Sequence, residues 1–319
     1  MNRRARGIGA FSGGLDGMLA ASVLAGQGVD LLLVTFSSPF FSDRNGHEGA
    51  ARLGLPWRGI DFTPVIMSLL EAPPSGFGSC MNPCIDCHAA MIRALAEIMR
   101  EEGFDFVFTG EVLGQRPMSQ SPPSLRRVAN LSGAGDRLLR PLSAKLLEPT
   151  WPEKEGLVDR ERLLGISGRG RKPQMALAAA KGLTYPAPAG GCLLTDPIYS
   201  RRLGALKEAG LMTPLNARLI RHGRMLRPGP ASFLVIGRDE ADNTALEALS
   251  PGAAFAPRDV SGPSAVPIGE GVPEGLACSL VVLYTKHRGE GPVAVATPGG
   301  GVVEAIPADA RAAEAITVR

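Results

Sequence analysis

Little in this sequence would send it into a membrane, lock it with disulfides or flag a strongly charged partner. No apolar run approaches the roughly 20 residues of a spanning helix. Aromatic residues make up only 5% of the 319, and no basic stripe is interleaved with them, so stacking on single-stranded nucleic acid is not indicated. Charge is nearly balanced: 34 Lys and Arg against 31 Asp and Glu leave +3, which permits a nucleic-acid partner without arguing for one. Five cysteines are too few and too unevenly placed for a disulfide scaffold. Neither a Gly-Lys-Ser/Thr phosphate loop nor a G-x-G-x-x-G dinucleotide fingerprint occurs. The basic start, Met1-Asn2-Arg3-Arg4-Ala5-Arg6, runs into a stretch broken by glycines and Asp16. It does not read as an export signal, and a cytoplasmic location is expected.

What remains is a chain that is 45% hydrophobic and 20% charged, able to build large cores, with a length suited to about two or three domains. Short apolar runs alternate with helical patterns through the first third. Ile8–Phe11, Leu31–Phe36, Trp57–Phe62 and Phe106–Gly110 read as strands, the second being a continuous apolar run suited to a parallel strand buried on both faces. Met18–Leu24, His47–Leu53 and Ala89–Met99 read as helices between them. This rhythm predicts an α/β fold with an open parallel sheet. Beyond it come a weak helix over Gly156–Leu164, a basic stretch Arg169–Lys172, a helix over Gln174–Ala180 and a rigid loop over Tyr185–Cys192. A further helix follows over Ser200–Gly210. A break is expected near Leu211–Asn216. After it, His222–Gly229 and Ser232–Gly237 read as a hairpin, Ala241–Leu249 as a helix, and Leu276–Tyr284 and Pro292–Ala296 as strands, giving a smaller α+β module. The expected organisation is 1–150, 151–212 and 213–319. Cys278 is expected to be a core residue.

Two local patterns carry chemistry. In the first, Ser12-Gly13-Gly14-Leu15-Asp16-Gly17 lies between a strand and a helix. A glycine turn there exposes backbone N–H groups and a helix N-terminus to an anion, and the Asp16 carboxylate is placed to share a Mg²⁺ with phosphate oxygens. Ligands of open parallel sheets bind beyond the carboxyl ends of the strands, where Thr109, Gly110 and Glu111 also fall.

In the second, Cys80, Cys84 and Cys87 follow a C-x3-C-x2-C spacing with His88 adjacent, and Cys192 comes about a hundred residues later. A thiolate at a helix N-terminus is a good nucleophile with a lowered pKa, so Cys87 ahead of a helix suits persulfide chemistry, with a second thiol closing a disulfide. Three thiolates could instead hold a [4Fe–4S] cluster, with Cys192, sulfide or a non-protein ligand on the fourth iron. Zinc on Cys80, Cys84, Cys87 and Cys192 or His88 is a third possibility, and unrelated buried cysteines a fourth. Cys84–His88 also matches the C-x-x-C-H haem attachment pattern, against which the lack of an export signal argues.

The Ser12–Gly17 stretch resembles the loop of the N-type ATP pyrophosphatases, Ser-Gly-Gly-x-Asp-Ser, with Gly17 at the final serine. Joined to the cysteines, it resembles the tRNA thiouridine synthetases over roughly residues 7–200. Asn82-Pro83 followed by Cys87 is similar to their Asn-Pro-Asp-x-x-Cys run, with Cys84 at the Asp position. Phe106–Gly110 is similar to their strand ending in Thr-Gly-His, with Glu111 at the histidine. Thr109–Gln120 and Ala189–Asp196 also resemble a less characterised group described as tRNA methyltransferases or thiouridine synthetases. Val235–Asp239 with Asp242-Asn243 resembles an RNA-binding module of ribosome quality-control proteins.

The resemblance implies an adenine nucleotide α-hydrolase (PP-loop) sheet and an ATP-dependent tRNA sulfurtransferase that adenylates a uridine oxygen and then transfers sulfur. Implied catalytic residues are Asp16, Cys87 and Cys192. The implied nucleotide set is Ser12, Gly13, Gly14, Asp16, Gly17, Phe36, Thr109, Gly110 and Glu111, and Gln115, Arg116 and Arg238 are expected on substrate. ATP and Mg²⁺ would be required, with a [4Fe–4S] cluster or zinc on the cysteines. Partners would be tRNA and a sulfur donor such as a cysteine desulfurase or free sulfide. The alternatives are sulfur transfer to, or amidation of, a small molecule, and a non-catalytic RNA- or metal-binding relative.

Overall fold

Continuous apolar strands demand a sheet covered on both faces, and the first part of the chain builds one. In a computed structural model describing residues 3–116, 118–187, 191–286 and 291–319, the chain divides into two compact units, Met1–Cys192 and Leu193–Arg319. The first holds β1 (Arg6–Ala10), β2 (Asp30–Ser37), β3 (Trp57–Asp61), β4 (Phe106–Thr109) and β5 (Leu138–Leu139). They pair in the order β3-β2-β1-β4-β5, and every pairing is parallel. This is the open parallel sheet that the βα rhythm predicts.

Its helices are α1 (Leu15–Ala25), α2 (Arg44–Leu53), α3 (Thr63–Glu71), α4 (Cys84–Glu102), α5 (Pro122–Ser132), α6 (Trp151–Lys154) and α7 (Lys172–Ala180). Helix α1 is apolar on nearly every side, burying Leu15, Met18, Leu19, Val23 and Leu24, as a helix enclosed by a core must be. Leu33, Phe106, Phe108, Leu139, Leu163 and Ala178 share its core, so residues beyond 150 complete the same unit. The expected weak helix over Gly156–Leu164 is reduced to one tight turn at Arg160–Arg162. Its Leu163 is drawn into the core instead.

Chain order reverses at β1, which pairs with β2 on one side and β4 on the other. That reversal opens a crevice at the carboxyl ends of β1 and β4. Gly110 fits there only because it lacks a side chain: a Cβ would come 2.6 Å from the Gly17 backbone nitrogen.

The second unit contains α8 (Pro197–Glu208), α9 (Pro214–Leu219), α10 (Glu240–Leu249), α11 (Glu274–Leu283) and α12 (Ala310–Ala315). Its strands are β6 (Arg224–Gly229), β7 (Ser232–Ile236), β8 (Ala256–Pro257), β9 (Ala265–Gly269), β10 (Val293–Ala296) and β11 (Val302–Ala305), in two three-stranded sheets ordered β6-β7-β9 and β11-β10-β8. The expected hairpin is β6–β7. The expected strand over Leu276–Tyr284 is helix α11 instead. Helical segments buried all round are as apolar as strands, so periodicity cannot separate them. Cys278 is buried, as expected, but on that helix. Tyr199 of α8 donates its hydroxyl to the Ala217 carbonyl at 2.7 Å, which ties residues ahead of the expected break at Leu211–Asn216 into this unit. Among the described residues no helix is long and apolar enough to cross a membrane.

Replacing Gly110 by Ala should lower the urea midpoint, with a loss of about 1–3 kcal/mol typical of overpacking. An unchanged midpoint would mean that the β4 end and the α1 start do not meet as described.

Candidate functional site

A strand, a glycine turn and a helix form the first wall of the site. Gly13 takes a φ of 73°, and a Cβ on it would lie 1.8 Å from the Asn45 carbonyl oxygen of α2, so only glycine closes this turn. Gly14 is the N-cap of α1 in extended conformation, with no side-chain cap. The helix's leading N–H groups are therefore left to an anion rather than to a side chain. Ser12 is exposed at the turn. Thr35 braces it from β2, donating its hydroxyl to the Phe11 carbonyl at 2.6 Å.

Asp16 stands in the first turn of α1. Its Oδ2 accepts a hydrogen bond from Gln115 Nε2 at 2.7 Å, while Oδ1 is buried without a partner. An orphaned carboxylate oxygen beside uncapped helix N–H groups fits a cation shared with phosphates. Of the expected nucleotide residues, Thr109 and Glu111 are buried at the end of β4 with Gly110 against Gly17. Phe36 is buried edge-on to Phe62, centroids 5.2 Å apart. It lines a cavity of about 240 Å³ with Ile60, Val65 and Ala90. Arg116 is exposed. Arg238 lies in the second unit, where its Nε donates to Asp242 Oδ2 at 2.9 Å. Pro117, in the Thr109–Gln120 motif, and Pro188–Gly190, in the Tyr185–Cys192 loop, lie outside the described residues.

The thiol wall is built on the start of α4. Cys84 opens that helix and Cys87 lies one turn in, buried. The side chain of Asn82 bridges two cysteines: its Oδ1 accepts from the Cys80 backbone N–H at 3.0 Å, and its Nδ2 donates to Cys84 Sγ at 3.1 Å. Asp86 is buried and accepts from the Ser75 N–H and hydroxyl at 2.7 and 2.5 Å, which pins the loop ahead of Cys80 to α4.

The expected low thiol pKa at Cys87 is corrected. Burial pushes this thiol well up, and the neighbouring Cys192, Cys84 and Asp86 charges push it further. Desolvation outweighs the helix terminus because the thiolate would be cut off from water. The same neighbours bring Cys84, Cys87 and Cys192 into one electrostatic environment. Among the described residues no three His, Cys, Asp or Glu side chains are grouped so as to hold a metal ion.

Between the two walls sits an ion pair that the sequence reading missed. Glu111 is buried, and its Oε2 accepts from Arg140 Nε at 2.9 Å and from the Thr109 hydroxyl at 3.2 Å. Its Oε1 is 3.2 Å from His88 Nδ1 on α4. Burial alone would raise the Glu111 pKa, but Arg140 and His88 overcome it and hold it at about 2. Arg140 directly follows β5, and only Gly110 separates Glu111 from β4. Opposite charges just past adjacent apolar strands were the available signal.

No family model and no curated protein matches this sequence. Among solved structures, the chain is similar to a predicted subunit of tRNA methyltransferase from Methanocaldococcus jannaschii. The identity is 17% and the TM-score 0.35, over 55% of this chain and 76% of that one. It is also similar to a 4-thiouridine synthetase solved as an RNA complex with bound ATP, at 21% identity and TM-score 0.38, over 50% of this chain and 42% of that one. NMN synthetase from Francisella tularensis is similar at 14% identity and TM-score 0.29, over 59% and 90%. These scores assign neither an activity nor a ligand to this chain.

The depressed Glu111 pKa makes a stabilising contribution that is complete above its unfolded value near 4.5 and is lost as pH falls towards 2. Glu111→Gln should remove that part of the acid-stability profile and also cost about 3–5 kcal/mol at neutral pH, because Arg140 is left buried and unpaired. An acid profile identical to the parent's would contradict the pairing. In timed alkylation at pH 8 followed by peptide mass spectrometry, Cys80 and Cys84 should be labelled well before Cys87. Equal rates would show that Cys87 is not shielded.

Proposed function

We propose that the protein is an ATP-dependent sulfurtransferase that adenylates an oxygen of a tRNA uridine and replaces it with sulfur, on a sheet of the adenine nucleotide α-hydrolase type. The observation that carries this is the meeting, at one sheet edge, of an uncapped helix start with a partnerless Asp16 oxygen and a helix start bearing neighbouring thiols. The buried Glu111 joins the two through His88. Phosphate loop and sulfur carrier are the two parts that such a reaction needs side by side.

Ser12, Gly13, Gly14 and Gly17 would cradle the ATP phosphates with backbone N–H groups, and Asp16 would hold the Mg²⁺ that travels with them. The bound Mg²⁺ supplies neutralisation of phosphate charge. Phe36, Thr109 and Gly110 are assigned to the nucleotide, and Arg116 and Arg238 to RNA phosphates. The uridine oxygen attacks the α-phosphorus and pyrophosphate leaves. A sulfane sulfur, transferred from a persulfide donor such as a cysteine desulfurase to Cys87 as that thiol gives up its proton to the departing donor thiolate, attacks the activated carbon, and AMP leaves with the oxygen. The Cys192 thiolate then attacks the Cys87 sulfur, which releases the thiolated base and leaves a Cys87–Cys192 disulfide for an external dithiol to reduce. Shielding of Cys87 suits this scheme, since a persulfide exposed to water and oxidant is lost. The work is expected in the cytoplasm, where tRNA and reductant are found.

ATP cleavage to AMP and pyrophosphate should depend on tRNA, and Asp16→Ala should reduce it by about a hundredfold. Binding of tRNA should weaken steeply with added salt. Undiminished AMP formation by Asp16→Ala would sink the phosphate-site assignment. Anaerobic purification yielding iron and acid-labile sulfide, both lost on replacing Cys80 or Cys84, would substitute a cluster-bound sulfide for the thiol relay.

A further inference from the structure

Asp16 is held from a distant part of the chain. Gln174 on α7 is fully buried, and its Nε2 donates to Gln115 Oε1 at 3.1 Å. Gln115 Nε2 in turn donates to Asp16 Oδ2 at 2.7 Å. Two amides in series therefore fix one oxygen of the carboxylate and leave the other alone. The segment leading into α7 is fastened to the same place. Leu113 pairs with Ser167, and the Gly168 N–H donates to the Leu113 carbonyl at 2.7 Å.

Among the described residues of the first unit, four buried polar side-chain atoms have no partner: Asp16 Oδ1, Gln174 Oε1, Gln120 Oε1 and Arg171 Nε. Arg171 is the N-cap of α7, and the Gln120 carbonyl accepts from the Gly114 N–H at 2.7 Å. Among the described residues one further such atom occurs, Arg202 Nε, in the second unit. Proteins rarely tolerate such orphans, because each loses water without gaining a partner. Two of them, Asp16 Oδ1 and Gln174 Oε1, belong to the linked chain itself, which is therefore short of donors or positive charge. At Asp16 a hard cation on the carboxylate oxygen answers that shortage.

We propose that Gln115 and Gln174 are positioning residues that set the Asp16 carboxylate for a divalent cation, a role that rests on the phosphate-site reading above. Gln115 then acts on Asp16 and not on the substrate. Gln174 holds the Gln115 amide the right way round, with its N–H towards Asp16, by donating to the Gln115 oxygen. The cation meets Oδ1 without any rearrangement of the carboxylate.

The test uses the full chain, Mn²⁺ followed by electron paramagnetic resonance, and the non-cleavable ATP analogue with a methylene between the α and β phosphates. Metal-free binding of the analogue and the thermal midpoint are measured alongside. Gln174→Met keeps the volume and removes the amide. It should weaken Mn²⁺ binding by about tenfold or more, the usual effect of losing a group that orients a metal ligand. Metal-free binding should stay at the parent value, while the midpoint falls only by what one lost buried hydrogen bond is worth. If Gln174→Met binds Mn²⁺ like the parent while Asp16→Asn loses it, the site stands and the positioning role is overturned. Metal-free binding that falls along with Mn²⁺ affinity would make Gln174 a packing residue and overturn it too. If Asp16→Asn takes up Mn²⁺ as the parent does, or the parent takes up none, the phosphate-site reading fails and this role fails with it.

Discussion

The contact between two glycine backbones, Gly110 at the end of β4 and Gly17 in the first turn of α1, fixes everything else at this sheet edge. A Cβ on Gly110 would meet the Gly17 nitrogen at 2.6 Å. With no side chain between them, β4 delivers Glu111 and Gln115 directly beside the glycine turn. Gln115 reaches Asp16, while Glu111 turns the other way to Arg140 and His88. One close approach thereby organises both a carboxylate with one oxygen unpartnered and a carboxylate closed by an arginine.

The two carboxylates illustrate how environment separates like groups. Glu111 is enclosed with a guanidinium and two hydrogen-bond partners, so its charge is secure and its task is to hold neighbours in place. Asp16 has one oxygen satisfied and one not. The satisfied charge gives rigidity, and the incomplete one is left with an oxygen that still lacks a partner. The thiols divide in a similar way. Cys84 at the helix start takes a hydrogen bond from Asn82, whereas Cys87 is withdrawn into the protein.

Much of the first unit was legible in the sequence because its signals are local. The continuous run Leu31–Phe36 can be satisfied only by a sheet covered on both faces, and the Ser12–Gly17 turn declares itself by its glycines. The strand–helix confusion at Leu276–Tyr284 has a physical origin, since full burial erases the periodicity that separates the two. Arg140 and Gln174 were not legible. Their roles depend on which strand lies beside which and on where α7 packs, neither of which leaves a mark on neighbouring residues. The expectation of a lowered thiol pKa at Cys87 failed for the same reason. Helix termini can be read from sequence, but the depth at which a side chain lies cannot.

The position of β1 in the sheet also constrains how the chain comes together. This five-residue strand finds one neighbour in residues 30–34 and the other in 106–109. Its second edge stays open until synthesis has passed β4 and α4 has folded back to bring β4 alongside. Pairings between such distant residues form slowly because a long loop must close first. The glycine turn after β1 leaves the ribosome before β4 does, and one wall beside it is missing until β4 has joined the sheet. The turn and the wall facing it thus exist together only when most of the first unit is in place, and a product cut short of β4 would carry the turn's sequence without Gly110 against it.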